Sequence, residues 1–406
     1  MKTDHAMNRF FVLAGAVLVA LAGFAFVVLT FERPPVHTVQ IGHRGVAMEL
    51  VYNPRTVAAT FARQQPPAAT DAADPPENDD DRAASIYENV PVLGHLSIAQ
   101  FGRVMEAMTE WLYPGQGADG CNNCHVPGNF AAEDQYQKHV ARRMLQMVHQ
   151  INSEWRTHVG DTGVTCYTCH RGQAVPAYVW AEQPEHAARG GMAAIQVAQN
   201  LPGRDVGLAS LPHEPFTPYL FNARDIRRQT DTPRPSGNLA GTMNTEWNYA
   251  LMMHMSASLG VNCTFCHNSR AFASWESSTP QRVTAWYGIR MLRDINVNYI
   301  EVLRDRFPPH RLGPMGDTLK ANCSTCHQGV YRPLWGAPMA RDYPELNLAS
   351  FQRPPAPPAA EAPAAAPAPA PVSAPAPVSA PAPAPAAAAA PPAVAPVPED
   401  EPIRTN

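Results

Sequence analysis

The chain has 406 residues, 31 Lys+Arg against 35 Asp+Glu, a formal net charge of -4, and only 16% charged residues, where soluble domains average about 25%. Without any block of basic residues, this balance excludes a surface built to track nucleic-acid phosphates. Proline supplies 43 residues, 18 of them after position 350, which removes the C-terminal stretch from any folded domain and leaves roughly 320 residues for one large core or two small ones.

In chain order, the first element is the run from Phe10 to Phe31, 22 residues without a charge. As a helix it spans about 33 Å, against about 30 Å of bilayer hydrocarbon. It is too long for the apolar core of a cleaved signal, and Thr30-Phe31-Glu32-Arg33-Pro34 offers no small-residue cleavage site. An uncleaved anchor is expected over 10–31. Lys2 and Arg9 precede it, which leaves 1–9 in the cytoplasm and the remainder on the far side, the periplasm of a bacterium.

Residues 32–63 read as an extended arm and 64–90, with seven acidic groups and one arginine, as a solvated loop. Helical period begins at Ser97, with Ile98, Phe101, Met105, Met108 and Leu112 on one stripe and a stop at Tyr113-Pro114-Gly115. A second helix is predicted from about Asp134 to Val159, with Val140, Met144, Met147, Ile151 and Trp155 inward. A third covers about Thr245 to Leu259, ending at Gly260. Thr279-Pro280 opens a fourth, which Pro308-Pro309 terminates. No strand pattern competes with them. The tail, 346–406, alternates Pro and Ala, favours polyproline II and is expected to be disordered.

All eight cysteines fall in four Cys-X-X-Cys-His strings: Cys121, Cys124 and His125; Cys166, Cys169 and His170; Cys263, Cys266 and His267; Cys323, Cys326 and His327. This is the attachment signature of c-type haem, in which two thiols form thioethers with the porphyrin and the adjacent histidine ligates the iron. Zinc would not require the following histidine, and a disulfide framework would not repeat the spacing. Four covalently bound haem c groups are expected. The motif histidines are separated by 45, 97 and 60 residues, which suggests a duplicated two-haem module: 91–180, a connector at 181–240, and 241–345.

The sixth ligand separates electron transfer from catalysis, because an iron with both axial positions filled has no place for substrate. Met108, Met144 and Met252 stand 17, 26 and 15 residues before the histidines of the first three motifs, each on a predicted helix leading into its own motif. A thioether ligand raises the potential of a c-type haem. Met105, Met147, Met253 and Met255 are neighbours that spacing alone does not exclude. The fourth motif has no such methionine; Met315, His310 and His158 are its candidates, and His158 lies on the helix of Met144, so that one helix would serve two haems. His139, His149 and His254 read as ordinary surface histidines.

The string LMMHMSASLGVNCTFCHNSRAFASW, followed by TPQRVTAWYGIRMLRDINVNYI, resembles the tetrahaem cytochrome c subunit of photosynthetic reaction centres, and VQIGHRGVAMELVYNPRTV is similar to that family's N-terminal arm. The resemblance covers roughly residues 38–345. It implies a mainly α multihaem fold with three His/Met haems, Met108 with His125, Met144 with His170 and Met252 with His267, and one bis-His haem, His158 with His327. It implies an electron carrier, not an enzyme. The carrier would sit in the bacterial inner membrane, dock on the reaction centre L and M subunits, take electrons from a soluble c-type cytochrome or high-potential iron-sulfur protein, and re-reduce the bacteriochlorophyll special pair. The alternatives are a membrane-anchored tetrahaem quinol dehydrogenase, whose haem domain would be shorter and richer in histidine ligands, and a multihaem reductase, which would need an open iron. Of the 31 basic residues 28 are arginine, a planar fork suited to carboxylates; Arg171, Arg270, Arg282, Arg290 and Arg293 are the candidate partners of haem propionates. Asp119, Glu133 and Asp134 are the candidate acids for steering a basic donor to the first haem.

Overall fold

The computed structural model describes residues 2–31, 37–42, 47–184, 203–208, 210–226 and 242–347. The Pro/Ala tail and much of the 181–240 connector lie outside these residues. Helix α1 (Lys2–Thr30) contains the apolar segment Arg9–Thr30, 22 residues long and exposed, as a membrane anchor requires.

The predicted arm is a paired hairpin, β1 (His37–Ile41) with β2 (Met48–Tyr52), antiparallel. Its register puts His37, Val39 and Ile41 opposite Tyr52, Leu50 and Met48 on one mostly apolar face, and Thr38 and Gln40 opposite Val51 and Glu49 on the other. The pairing is clamped from far along the chain: Met48 N donates to Thr264 Oγ1 (2.8 Å), Thr264 Oγ1 to the Ile41 carbonyl (3.0 Å) and Asn262 Nδ2 to the Met48 carbonyl (3.0 Å). Gly42, at φ +126°, lies so close to Thr264 that a Cβ would stand 2.1 Å from its carbonyl oxygen. Helix α2 (Pro54–Arg63) follows, opened by the Asn53 side chain, and Gln64 Nε2 donates to the Gln328 carbonyl (2.9 Å).

The acidic stretch is mostly exposed, but it is pinned rather than free. Arg103 donates to the Thr70 carbonyl (2.8 Å), Ser97 Oγ to that of Asp74 (2.7 Å), and short helix α3 (Ala83–Ile86) buries Ala83 completely. Helix α4 (Ile98–Leu112) begins with a capping box between Ser97 and Gln100. Its buried face is Val104, Ala107, Met108 and Trp111, while Ile98 is exposed. That face is rotated from the predicted stripe because α4 also buries Arg103, paired through two hydrogen bonds with Glu345 (2.8 and 2.9 Å).

The predicted helix over 134–159 is two helices, α5 (Tyr136–Glu154) and α6 (Arg156–Val159), broken at Trp155. Asn152 has turned its side chain to the Val164 N–H and carbonyl (2.8 and 3.0 Å), and the Trp155 indole donates to Asp294 (3.3 Å). Short helix α7 (Cys166–His170) is the second motif. Then come α8 (Thr242–Leu259), which Gly260 ends at φ +64°, and α9 (Pro280–Asp294). The helix predicted to run to Pro308 changes pitch after Asp294, through a π turn at Ile295–Ile300 and a 3-10 segment at Glu301–Arg306. Thr279 spends its hydroxyl on the Phe265 carbonyl rather than on capping α9.

Helix α10 (Cys323–His327) is the fourth motif, and α11 (Met339–Asp342) leads to Leu346, which is completely buried although it is the first residue of the expected tail. The main core gathers Val104, Trp111, Leu145, Ile151, Leu251 and Leu292 with Phe216, Tyr219 and Leu220. The last three come from the stretch expected to be a connector, so this part of it is core.

Candidate haem centres

The four motifs adopt two local geometries. The first and third lie in 3-10 turns (Gly117–Asn123 and Cys263–Phe265), and their histidines donate from Nδ1 to a carbonyl five residues on, His125 to Phe130 (3.0 Å) and His267 to Phe272 (2.9 Å). The phenylalanine ring then lies against the imidazole, with centres 4.9 and 5.3 Å apart. The second and fourth are the five-residue helices α7 and α10, each opened by a capping box (Thr165 with Thr168, Asn322 with Thr325) and closed by a left-handed residue, Arg171 or Gln328. Here Nδ1 bonds a carbonyl three residues on, His170 to Gln173 (2.8 Å) and His327 to Val330 (3.0 Å). In every case the tautomer is fixed with its proton on Nδ1, and Nε2 is left as the metal-binding nitrogen.

Burial holds the imidazoles of His170, His267 and His327 in the neutral form that binds iron. It lowers His170 and His267, and takes His327 to about 4. The same desolvation raises the thiols of Cys124 and Cys266 to about 11 and of Cys166 and Cys323 to about 12.

Each motif is positioned by the helices around it. Helix α4 packs on both the first motif and α7, with Gly172 N donating to the Trp111 carbonyl (2.9 Å); α8 packs on α10, with Gly329 N donating to the Ser258 carbonyl (2.7 Å). The second and fourth motifs touch: the Cys169 and Cys326 sulfurs are 2.7 Å apart, and Arg171 donates to the Cys326 carbonyl (2.9 Å).

His158, on α6, is brought to the fourth motif. Its ring centre is 6.0 Å from that of His327, with the planes at 71°. Two imidazoles bound to one ion at about 2.0–2.1 Å through one nitrogen each would have their centres about 6 Å apart. The Nδ1 of His158 is bonded to the Thr284 carbonyl (2.9 Å), which leaves its Nε2 as the candidate ligand. The other candidates for this position, His310 and Met315, are exposed. Met108 is buried on α4, while Met144 on α5 and Met252 on α8 are half-buried. Met253 packs on a small separate cluster of Val206, Leu211 and Ala250; Met105, Met147, Met252 and Met255 lie against the main core.

Two expectations are corrected, for the buried histidines and for Glu133. His149 and His254 are core residues, each 1% exposed, and His254 is held between the Asp205 carbonyl (2.9 Å) and Ser258 Oγ (3.1 Å); His139 is half-exposed beside Glu133 (3.3 Å). Among the candidate arginines, Arg293 is committed to the Tyr219 and Arg224 carbonyls and Arg282 to that of Ser274 (2.7 Å). Arg290 lies over the Trp286 ring and Arg270 is exposed. Glu133 is not a free steering charge: Arg142 (2.7 Å), Lys138 (3.4 Å) and Asn89 surround it, and the Arg142 hydrogen bond foremost holds its carboxyl down at about 2.

One residue missed in the sequence is Lys138, nearly buried on α5. Its ammonium donates to the carbonyls of Phe130 (2.9 Å), Ala131 (2.9 Å) and Ala132 (2.8 Å). It thereby fixes the loop whose Phe130 carbonyl orients His125.

A protein-family model described as the photosynthetic reaction centre cytochrome C subunit matches residues 32–347. The chain is 50% identical over 332 residues to the photosynthetic reaction center cytochrome c subunit of Rubrivivax gelatinosus, covering 82% of this chain and 87% of that one. It is 48% identical over 315 residues to the subunit of the same name from Thermochromatium tepidum, covering 78% and 76%. A more distant relative, cytochrome c-554 of Chloroflexus aurantiacus, is 28% identical over 296 residues, covering 61% and 69%. The family implies covalently bound haem c and association with the reaction centre, and the fixed imidazoles and paired thiols fit such a group. The chain belongs to the photosynthetic reaction centre cytochrome c subunit family, and is an electron carrier of photosynthesis rather than an enzyme.

Proposed function

We propose that the chain carries four haem c groups as a wire from a soluble periplasmic donor, a c-type cytochrome or high-potential iron-sulfur protein, to the special pair held by the L and M subunits. The observation that carries this reading is the meeting of His158 and His327, both with Nδ1 occupied and with ring centres 6.0 Å apart, about the separation of two imidazoles on one ion. A haem c supplies a one-electron iron couple whose potential Met ligation raises. Met108, Met144 and Met252 serve as distal ligands opposite His125, His170 and His267, so that no iron keeps an open position. A low-spin spectrum from every iron, with no binding of carbon monoxide to the reduced protein, is the expected result. A high-spin iron at the fourth motif would instead favour a reductase.

The residues also support an order. Contact between the second and fourth motifs supports an order with those two in the middle and the first and third at the ends. Strand β1 begins six residues after Phe31, a reach of at most about 20 Å, and its hairpin is bonded to Thr264 inside the third motif. The third motif is therefore the end nearer the membrane and the reaction centre, and the first is the donor end, with Asp119 and Asp134 the remaining acids to attract a basic donor. The two alternating motif geometries support a duplicated module, 91–180 and 241–345.

The anchor, 10–31, stays attached in this reading, with 1–9 in the cytoplasm and the haem-binding part in the periplasm. Intact mass of the mature protein is expected to correspond to a chain starting at Met1 or Lys2 plus four haems; a start near residue 32 would refute the anchor. The tail after 346 carries no ligand. Truncation after Ser350 is expected to leave haem attachment and light-driven haem oxidation intact, and loss of the latter with four haems present would make the tail a docking element.

A further inference from the structure

Helices α5 and α9 are copies of one another, in register from their first residues, Tyr136 and Pro280. The third residue of each, Lys138 or Arg282, reaches back to carbonyls of the loop that follows the preceding motif, Ala132 (2.8 Å) in one case and Ser274 (2.7 Å) in the other. Sixteen residues on from each start, within α5 and in the π turn that continues α9, stands an asparagine that pins the residue two places before the next motif. Asn152 accepts from Val164 N and Asn296 from Ala321 N, both at 2.8 Å. Between these two fixed points lies the ninth residue, and there the copies differ. It is Met144 in α5 and Gly288 in α9.

Gly288 is buried in mid-helix, where glycine is a poor helix former, and what approaches it is His158. A Cβ on Gly288 would stand 2.5 Å from His158 Cε1, 2.8 Å from Nδ1 and 3.1 Å from Nε2. The imidazole lies over this bare patch of α9, with its Nδ1 bonded to Thr284 O one turn earlier (2.9 Å). We propose that Gly288 is the positioning residue that selects the distal ligand of the fourth haem: by lacking the methionine of its counterpart in α5, it makes room for His158 to cross from the first module and face His327. The inference rests on the ligand reading above and goes beyond it, because it explains why one centre of the duplicated pair departs from the methionine pattern.

The test uses the full-length, haem-loaded protein in membranes, with attached haem counted and ligation read by magnetic circular dichroism and redox titration. The unaltered protein is expected to show three His/Met centres and one bis-His centre. Gly288→Ala is expected to remove the bis-His signature with four haems still attached. Gly288→Met is expected to replace it with a fourth His/Met signature and to raise the lowest midpoint potential. In a His158→Ala background one iron turns high-spin, and adding Gly288→Met returns it to low-spin. A bis-His signature that persists in Gly288→Ala overturns the proposal, and this arm decides even if the methionine variant fails to accumulate. Failure of the rescue with four haems attached overturns it as well. Absence of any bis-His centre in the unaltered protein would mark the failure of the ligand reading itself, whereas its presence and persistence in the variants would mark the failure of the Gly288 assignment alone.

Discussion

Replacing Met252 by His is expected to lower one midpoint potential while four haems remain attached. Met252 is half-buried on α8, the helix that runs into the third motif, and it lies on the main-core side, whereas Met253 packs on a separate cluster with Val206 and Leu211. Exchange of a thioether for an imidazole removes the ligand that favours ferrous iron, so the shift should be a sizeable part of the roughly 0.8 V over which axial ligands tune haem. It should be confined to one of the four titration steps. If no step moves, Met255, one helical turn on and also against the main core, becomes the ligand to replace next.

The second large effect concerns stability. Glu345→Ala is expected to cost about 3–5 kcal/mol, because it strands a buried charge. Arg103 and Glu345 are 7% and 4% exposed; the guanidinium makes two bonds to the carboxylate, donates to the Thr70 and Asp342 carbonyls (2.8 and 2.7 Å) and lies over the Tyr343 ring (4.2 Å). This single side chain ties α4 to the acidic stretch and to the end of the folded chain. Denaturant unfolding of the haem-loaded variant should show a lower midpoint at unchanged slope. A loss under ~1 kcal/mol, the size expected of an exposed pair, would mean that water enters and solvates Arg103, and would contradict the buried-charge reading.

Much of the site was legible because its chemistry is local. Cys-X-X-Cys-His needs five consecutive residues, and helix α4 announces itself through Ser97, Gln100 and an amphipathic run. His158 was legible as a candidate, but what brings it to His327 was not. Its helix breaks at Trp155, and its destination is a glycine on α9, 130 positions along the chain from it. The hairpin was missed for a related reason: its strands are short and half-exposed, and their clamp is Thr264, more than 200 residues away. Lys138 carries no signal in the sequence, since nothing local reveals that three carbonyls of one turn will converge on it. The same holds for His149 and His254, whose burial is set by tertiary packing. The repeat itself was visible in the motif spacing, yet the match of α5 to α9 became usable only once Asn152 and Asn296 were seen to make the same bonds.

The central claim is that this chain delivers electrons to the special pair, and light is its most direct test. Membranes poised with the haems reduced should, after a single flash, show oxidation of haem c in step with re-reduction of the bacteriochlorophyll pair, and the centre with Met252 and His267 should be the first to respond. Re-reduction of the pair with no accompanying haem signal would contradict the account.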